Sequence, residues 1–172
     1  MLQRKKICML GAFSVGKTSL VRRYVESTYS DEYLTTVGVN VRKKTIATDA
    51  DELMMMLWDL SGDDEFQKLR MEYLNGASGF LLVADGTRRT TLEKALELHE
   101  RVQKAIGTTP AVLVLNKIDL AADWEITPEI EQELRGRGWQ PVHSSAKTGE
   151  GVEEAFLALT AEDNRAASAA IN

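Results

Sequence analysis

The octet Gly11-Ala12-Phe13-Ser14-Val15-Gly16-Lys17-Thr18 constrains this chain more than any other feature, because it follows the apolar run Ile7-Cys8-Met9-Leu10 and opens a segment with helical spacing. A strand, a glycine-bounded turn and a helix in that order make a cradle for phosphates. The glycines permit a backbone path closed to other residues, and that path aims successive N–H groups inward at a triphosphate. Lys17 stands where an ammonium reaches the β- and γ-phosphates, and Thr18 where a hydroxyl ligates Mg²⁺. Phe13, Ser14, Val15, Gly16 and Ser19 complete the candidate phosphate-loop residues. Average residue frequencies put a chance match to this pattern at roughly once in a few hundred chains of this length.

Beyond the octet, short apolar runs alternate with helical patterns, which predicts an α/β fold with a mostly parallel sheet. The predicted strands are residues 4–10, 39–48, 53–60, 78–84, 111–116 and 139–144, and the predicted helices 17–27, 64–75, 90–106, 127–136 and 150–160. Only Asp49-Ala50-Asp51-Glu52 separates the second strand from the third, too little for a crossover, so these two form an antiparallel hairpin at one sheet edge. On the outer strand, Arg42-Lys43-Lys44 reads either as protection of that edge or as a partner contact. In the third helix Leu92, Ala95, Leu96, His99, Val102 and Ile106 share a face, so His99 is expected to be a packing residue at the core margin. Residues 1–162 are read as one domain and 163–172 as a short Ala-rich tail.

Several function classes are excluded by composition. A net charge of −5 argues against the basic face that nucleic acid requires. No apolar stretch approaches a membrane span, and no secretory leader is evident, so a cytoplasmic location is expected. The single cysteine, Cys8, lies in an apolar run and is expected to be inert packing. The tail carries no cysteine for a lipid anchor, and a monomer is expected.

Three further motifs turn a generic nucleotide site into a guanine site. Asp59-Leu60-Ser61-Gly62 ends the third strand, delivering the Asp59 carboxylate toward Mg²⁺ through a water and the Gly62 N–H toward the γ-phosphate. Asn116-Lys117-Ile118-Asp119 follows the buried strand Val112-Leu113-Val114-Leu115 and emerges at the carboxyl edge, where such sheets bind ligands. The Asp119 carboxylate accepts from guanine N1–H and the 2-amino group together; adenine offers neither donor and leaves a buried carboxylate unpaired. Ser144-Ser145-Ala146-Lys147 ends the last strand, with the Ala146 N–H facing the guanine O6 and Ser145 and Lys147 beside it.

With these motifs in this order, residues 4–160 resemble the Ras superfamily of small GTPases, closest to its Rab branch. The Rab resemblance lies in Thr35-Thr36-Val37-Gly38-Val39, Trp58-Asp59, Phe66, Tyr73, Gly76-Ala77 and Asp85. It implies a P-loop NTPase small G domain: a six-stranded sheet of order 2-3-1-4-5-6 with strand 2 antiparallel, flanked by about five helices. It also implies that Thr36 contacts Mg²⁺ and the γ-phosphate, and that Tyr29 lies against the guanine. The expected ligands are GTP or GDP and Mg²⁺. The expected partners are effector, exchange-factor or activator proteins at two switch segments, about residues 29–38 and 61–76, with Val37, Val39, Val41, Trp58, Tyr73 and Leu74 exposed for contact. For Trp58 and Val41 ordinary packing is an equal alternative.

Two residues depart from the family pattern. Asp63 stands where the family usually has a glutamine that orients the attacking water, and Phe13 where it has a small residue. An aspartate lacks the amide donor and brings negative charge toward the γ-phosphate, and Phe13 crowds the space an activating arginine must enter. Residues 28–38 contain no arginine that could act in cis. The expected catalytic set is Lys17, Thr36, Gly62 and Asp63. The sequence therefore reads as a switch with weak unaided hydrolysis, or as a GTP-stabilised interaction module with negligible turnover.

Overall fold

The computed structural model describes residues 1–27, 29, 39–49, 51–60 and 71–169. Six strands form one sheet: β1 (Leu2–Leu10), β2 (Val39–Ala47), β3 (Glu52–Leu60), β4 (Gly79–Asp85), β5 (Ala111–Asn116) and β6 (Val142–Ser144). Their order across the sheet is β2-β3-β1-β4-β5-β6, with only the β2/β3 pair antiparallel. This is the order and direction the resemblance implied.

β4 shows why the middle of the sheet is parallel and covered. All seven residues of Gly-Phe-Leu-Leu-Val-Ala-Asp are buried, the continuous apolar pattern of a strand with a layer on each face. On one face, α1 (Lys17–Glu26) and α4 (Val152–Ala169) close a core in which the Tyr24 and Phe156 rings stack with centroids 4.2 Å apart. On the other, α2 (Arg89–Ile106) and α3 (Pro128–Gly136) cover Cys8, Leu10, Phe80, Leu82, Leu113 and Leu115. α3 begins at Thr127, whose side chain accepts from the Ile130 N–H, with Pro128 in the first turn, so its start follows from sequence.

Four expectations are corrected in detail. β6 starts at Val142 rather than residue 139: Trp139 N–H is turned back to Leu134 O, and Pro141 has no N–H to give a ladder. Of the predicted helix 64–75, residues 64–70 lie outside the described residues, and Met71–Leu74 is a single 3-10 turn. That turn tucks Leu74 fully into the core, so Leu74 offers nothing to a partner. α4 continues to Ala169 instead of ending near 160, as alanines extend a helix at little cost. His99 is half-buried and meets the Trp139 ring edge-on at 4.9 Å; burial lowers its pKa, as expected of a packing residue. Cys8 is fully buried, and burial pushes its thiol up to about 12, which makes it inert.

β1 connects through α1 on one face, while β4 and β5 lead to helices on the other. The crevice at the carboxyl ends of β1, β4 and β5 is the place where such a sheet receives a ligand.

Candidate functional site

Residues 11–16 leave β1 and turn tightly into α1. A Cβ on Gly11 would lie 2.4 Å from the Val83 carbonyl oxygen, so only glycine lets the loop leave the sheet here. Gly16 is left-handed with φ 104°, and a Cβ there would lie 2.3 Å from Asn116 Nδ2. The two glycines thus serve different contacts, one with the sheet and one with the Asn116 side chain. Val15 is fully buried and anchors the loop. Gly16 caps α1 and brings no side-chain hydrogen bond to its first turn, the end of a helix whose dipole favours an anion.

Lys17 curls back over this turn. Its Nζ donates to Gly11 O at 2.7 Å and Ala12 O at 3.0 Å, and the residue is only 6% exposed. Burial lowers its pKa to about 8, opposed by the nearby Asp59 carboxylate. An ammonium held dry beside a helix N-terminus suits a polyanion, which would replace the hydration the lysine has lost.

Next to it, Thr18 Oγ1 donates to Asp59 Oδ2 at 2.6 Å, so β3 and α1 bring a hydroxyl and a carboxylate together. Both are hard oxygen donors of the kind Mg²⁺ takes, and the pair fits an ion shared with phosphate oxygens and water.

The second half of the site comes from the ends of β5 and β6. Asn116 Nδ2 donates to Val15 O at 2.9 Å, and its Oδ1 accepts from Ser144 Oγ at 3.0 Å, so one amide ties the phosphate loop to the last strand. Lys117 is left-handed with φ 75°, and its Nζ donates to Ser14 O at 3.2 Å. Asp119 Oδ1 accepts from Ser145 Oγ at 2.7 Å. A cavity of about 210 Å³ is lined by Gly16, Ser19, Tyr29, Asn116, Lys117, Asp119, Ala146 and Lys147, with Leu120 closing one side. The predicted residues of both halves therefore meet at one edge. Thr36, Gly62 and Asp63, and with them Val37, lie outside the described residues.

Sequence reasoning missed three supports. Asp85, nearly fully buried at the end of β4, accepts from Thr87 N–H and Oγ1 and pairs through Oδ2 with both Lys117 Nζ and Arg88 Nε, each at 3.0 Å. Its pKa is lowered: burial raises it, but the hydrogen bonds from Thr87, Lys117 and Arg88 together outweigh burial. Arg88 Nη2 reaches on to Phe13 O at 3.0 Å. One carboxylate thus holds two cations that grip consecutive loop carbonyls, those of Phe13 and Ser14. The Phe13 side chain itself is 41% exposed.

The other two supports act on the base half. Arg23, in the last turn of α1, donates to Ala146 O at 2.7 Å and Lys147 O at 2.5 Å, setting the backbone there. Trp124 donates to Lys117 O at 3.0 Å and lies so close to Gly86 that a Cβ there would come within 2.1 Å of the ring. Only Asp85 carried a signal in the sequence, as part of the Rab resemblance.

The Ras family model matches residues 6–164. Ras-related protein Rab-1 of Theileria parva is 31% identical over 157 residues, covering 90% of this chain and 71% of that protein. Ras-related protein Rab-21 of Mus musculus is 31% identical over 156 residues, with 90% and 70% covered. GTP-binding protein YPTM2 of Zea mays is 29% identical over 158 residues, with 91% and 78% covered.

Proposed function

We propose that this chain, which belongs to the Ras family of small GTPases and is Rab-like, is a Mg²⁺-dependent switch that binds GTP and GDP and hydrolyses GTP slowly on its own. The observation that carries this reading is the meeting of Lys17, Thr18 and Asp59 with Asn116, Lys117 and Asp119 at one sheet edge. In it, the loop N–H groups of residues 13–18 and Lys17 hold the phosphates, Thr18 and Asp59 hold the metal, and Asp119, Ser145 and the Ala146 N–H select guanine. Tyr29, beside the cavity, covers the base. When bound, Mg²⁺ neutralises charge on the β- and γ-phosphate oxygens.

Thr36 and Gly62 are assigned to the γ-phosphate, so that their segments order around GTP and release with GDP, presenting Val37, Val39, Val41, Trp58 and Tyr73 to effector, exchange-factor or activator proteins. Val41 is 40% exposed and pairs across the hairpin with half-buried Trp58, whose ring centroid is 6.3 Å from that of Tyr73. We assign slow turnover to Asp63, which has no amide to orient water.

A second reading, a GTP-stabilised binding module with negligible turnover, is favoured by Phe13. Its carbonyl is tied to Arg88 and its ring is exposed at the loop tip, where an activator's arginine would enter. Single-turnover phosphate release separates the two. Under the first reading, wild type hydrolyses measurably, Asp63→Gln is faster, and Phe13→Gly adds to it. A fast wild type slowed by Asp63→Gln would make the aspartate catalytic and overturn the assignment; no release from any variant would leave the binding module.

A further inference from the structure

The short basic runs Arg4-Lys5-Lys6 and Arg42-Lys43-Lys44 of this acidic chain lie on strands β1 and β2, where alternation divides each between two faces. Arg42 and Lys44 turn toward α1, where Arg42 pairs with Glu26 and Lys44 Nζ donates to Tyr24 O at 3.0 Å. Lys43 points to the opposite face. Strand register then sets it in a row with Met56 and Lys6, and sets Thr45 in the next row with Met54 and Arg4. Lys6 Nζ is held over the Trp58 ring, 3.8 Å from its centroid, and donates to Asn75 O at 2.9 Å. Arg4, Lys43 and Thr45 are exposed, and the two methionines are half-buried. Among the described residues, the covering layer on this face stops one row higher, where Cys8 Sγ lies 3.7 Å from Tyr73 O. Glu52, paired with Ala47 and Leu2, ends the basic region at the bottom of the sheet.

The result is a shallow apolar line with cations on both sides. Adjacent strands lie about 4.8 Å apart, which puts the backbones of Lys43 and Lys6 roughly 10 Å apart across Met56. A helix is about 10 Å across. Laid along β3, its apolar stripe would meet Met54 and Met56, side chains that adapt to many shapes, while its flanks met Lys43 on one side and Arg4 and Lys6 on the other. In a chain of net charge −5, this local reversal of sign selects an anionic partner.

We propose that this open face of β1, β2 and β3 docks an acidic amphipathic helix of a partner protein, whichever guanine nucleotide is bound. The rows are built wholly from paired strand residues, none of them in residues 28–38 or 61–70. The row residues are therefore distinct from those of the nucleotide-dependent output proposed above, which Lys6 adjoins through Asn75 O and the Trp58 ring.

The test uses a displayed library of helical peptides with a fixed Leu/Met stripe and randomised flanks, selected on the full chain loaded with GDP and, separately, with a non-hydrolysable GTP analogue. The recovered peptides are then titrated against wild type and Arg4→Glu/Lys43→Glu, a variant with both changes on exposed positions away from the nucleotide site. Glu- and Asp-flanked peptides are expected from both selections, binding with affinities within twofold of each other in the two nucleotide states and at least tenfold weaker to the variant. Methyl resonances of Met54 and Met56 should shift on binding, and GDP affinity of the variant should stay unchanged. Basic or charge-neutral winners, winners that bind the variant equally, or binding confined to one nucleotide state would overturn the proposal. So would co-sedimentation of the wild type with phosphatidylserine vesicles lost in the variant, since the face would then serve a lipid surface.

Discussion

Lys17 carries a cost that nucleotide should relieve, and pH exposes it. With a pKa of about 8 in the folded chain against an ordinary 10.5, the buried ammonium is disfavoured by roughly 3 kcal/mol, at about 1.4 kcal/mol per unit of pKa. At 6% exposure there is little solvent to screen it. Below about pH 8 the lysine is protonated in folded and unfolded chains alike, and the full cost is present. Between about 8 and 10.5 the folded chain releases its proton while the unfolded chain keeps it, so stability is gained as pH rises. Lys17→Met removes this dependence; it also removes the bonds to Gly11 O and Ala12 O, but that loss leaves the slope untouched. Urea unfolding of nucleotide-free protein should therefore show wild-type stability rising relative to Lys17→Met by about 2 to 3 kcal/mol between pH 8 and 10.5. With GDP and Mg²⁺ bound, the phosphates should hold the lysine protonated and abolish the rise. A flat difference in the nucleotide-free proteins would refute the account of a dry ammonium.

Two further outcomes concern the metal and the loop. Thr18→Asn, which puts a longer amide where a hydroxyl now lies 2.6 Å from Asp59, should weaken Mg²⁺-GTP at least tenfold more than Mg²⁺-GDP in equilibrium titrations; equal losses would contradict a metal shared with the γ-phosphate. Arg88→Ala should speed release of a fluorescent GDP about fivefold, since the Arg88 side chain is 42% exposed and its two contacts are together worth roughly 1 kcal/mol, with Arg88→Lys intermediate; an unchanged rate would show that the Phe13 carbonyl needs no tether.

The sequence makes legible whatever is encoded by neighbours along the chain. The phosphate loop, the Asn116-Lys117-Ile118-Asp119 run and the Thr127-Pro128 helix start are local patterns, and each stands where the sequence placed it. The supports were hidden because they are long-range. Arg88 is 75 residues from the carbonyl it holds, Lys117 is 103 residues from Ser14, and Arg23 is 123 residues from Ala146. Leu74 differs for another reason: the resemblance placed it among the exposed contact residues, whereas the 3-10 turn Met71–Leu74 buries it in the core. The run Arg42-Lys43-Lys44 could be placed on the edge strand from sequence, but alternation along that strand splits its consecutive cations between two faces.

The central claim is that the cavity beside Asp119 selects guanine, and competition for the site tests it most directly. Wild type loaded with a fluorescent GDP should be displaced by GTP but not by ATP up to a concentration roughly 10⁴-fold higher, because adenine has no donors for the Asp119 carboxylate. Asp119→Asn should lose GTP affinity and gain xanthosine triphosphate, whose 2-oxo group accepts from the new amide. Displacement by ATP at the concentrations that suffice for GTP, or an Asp119→Asn variant with unaltered GTP affinity, would contradict the account.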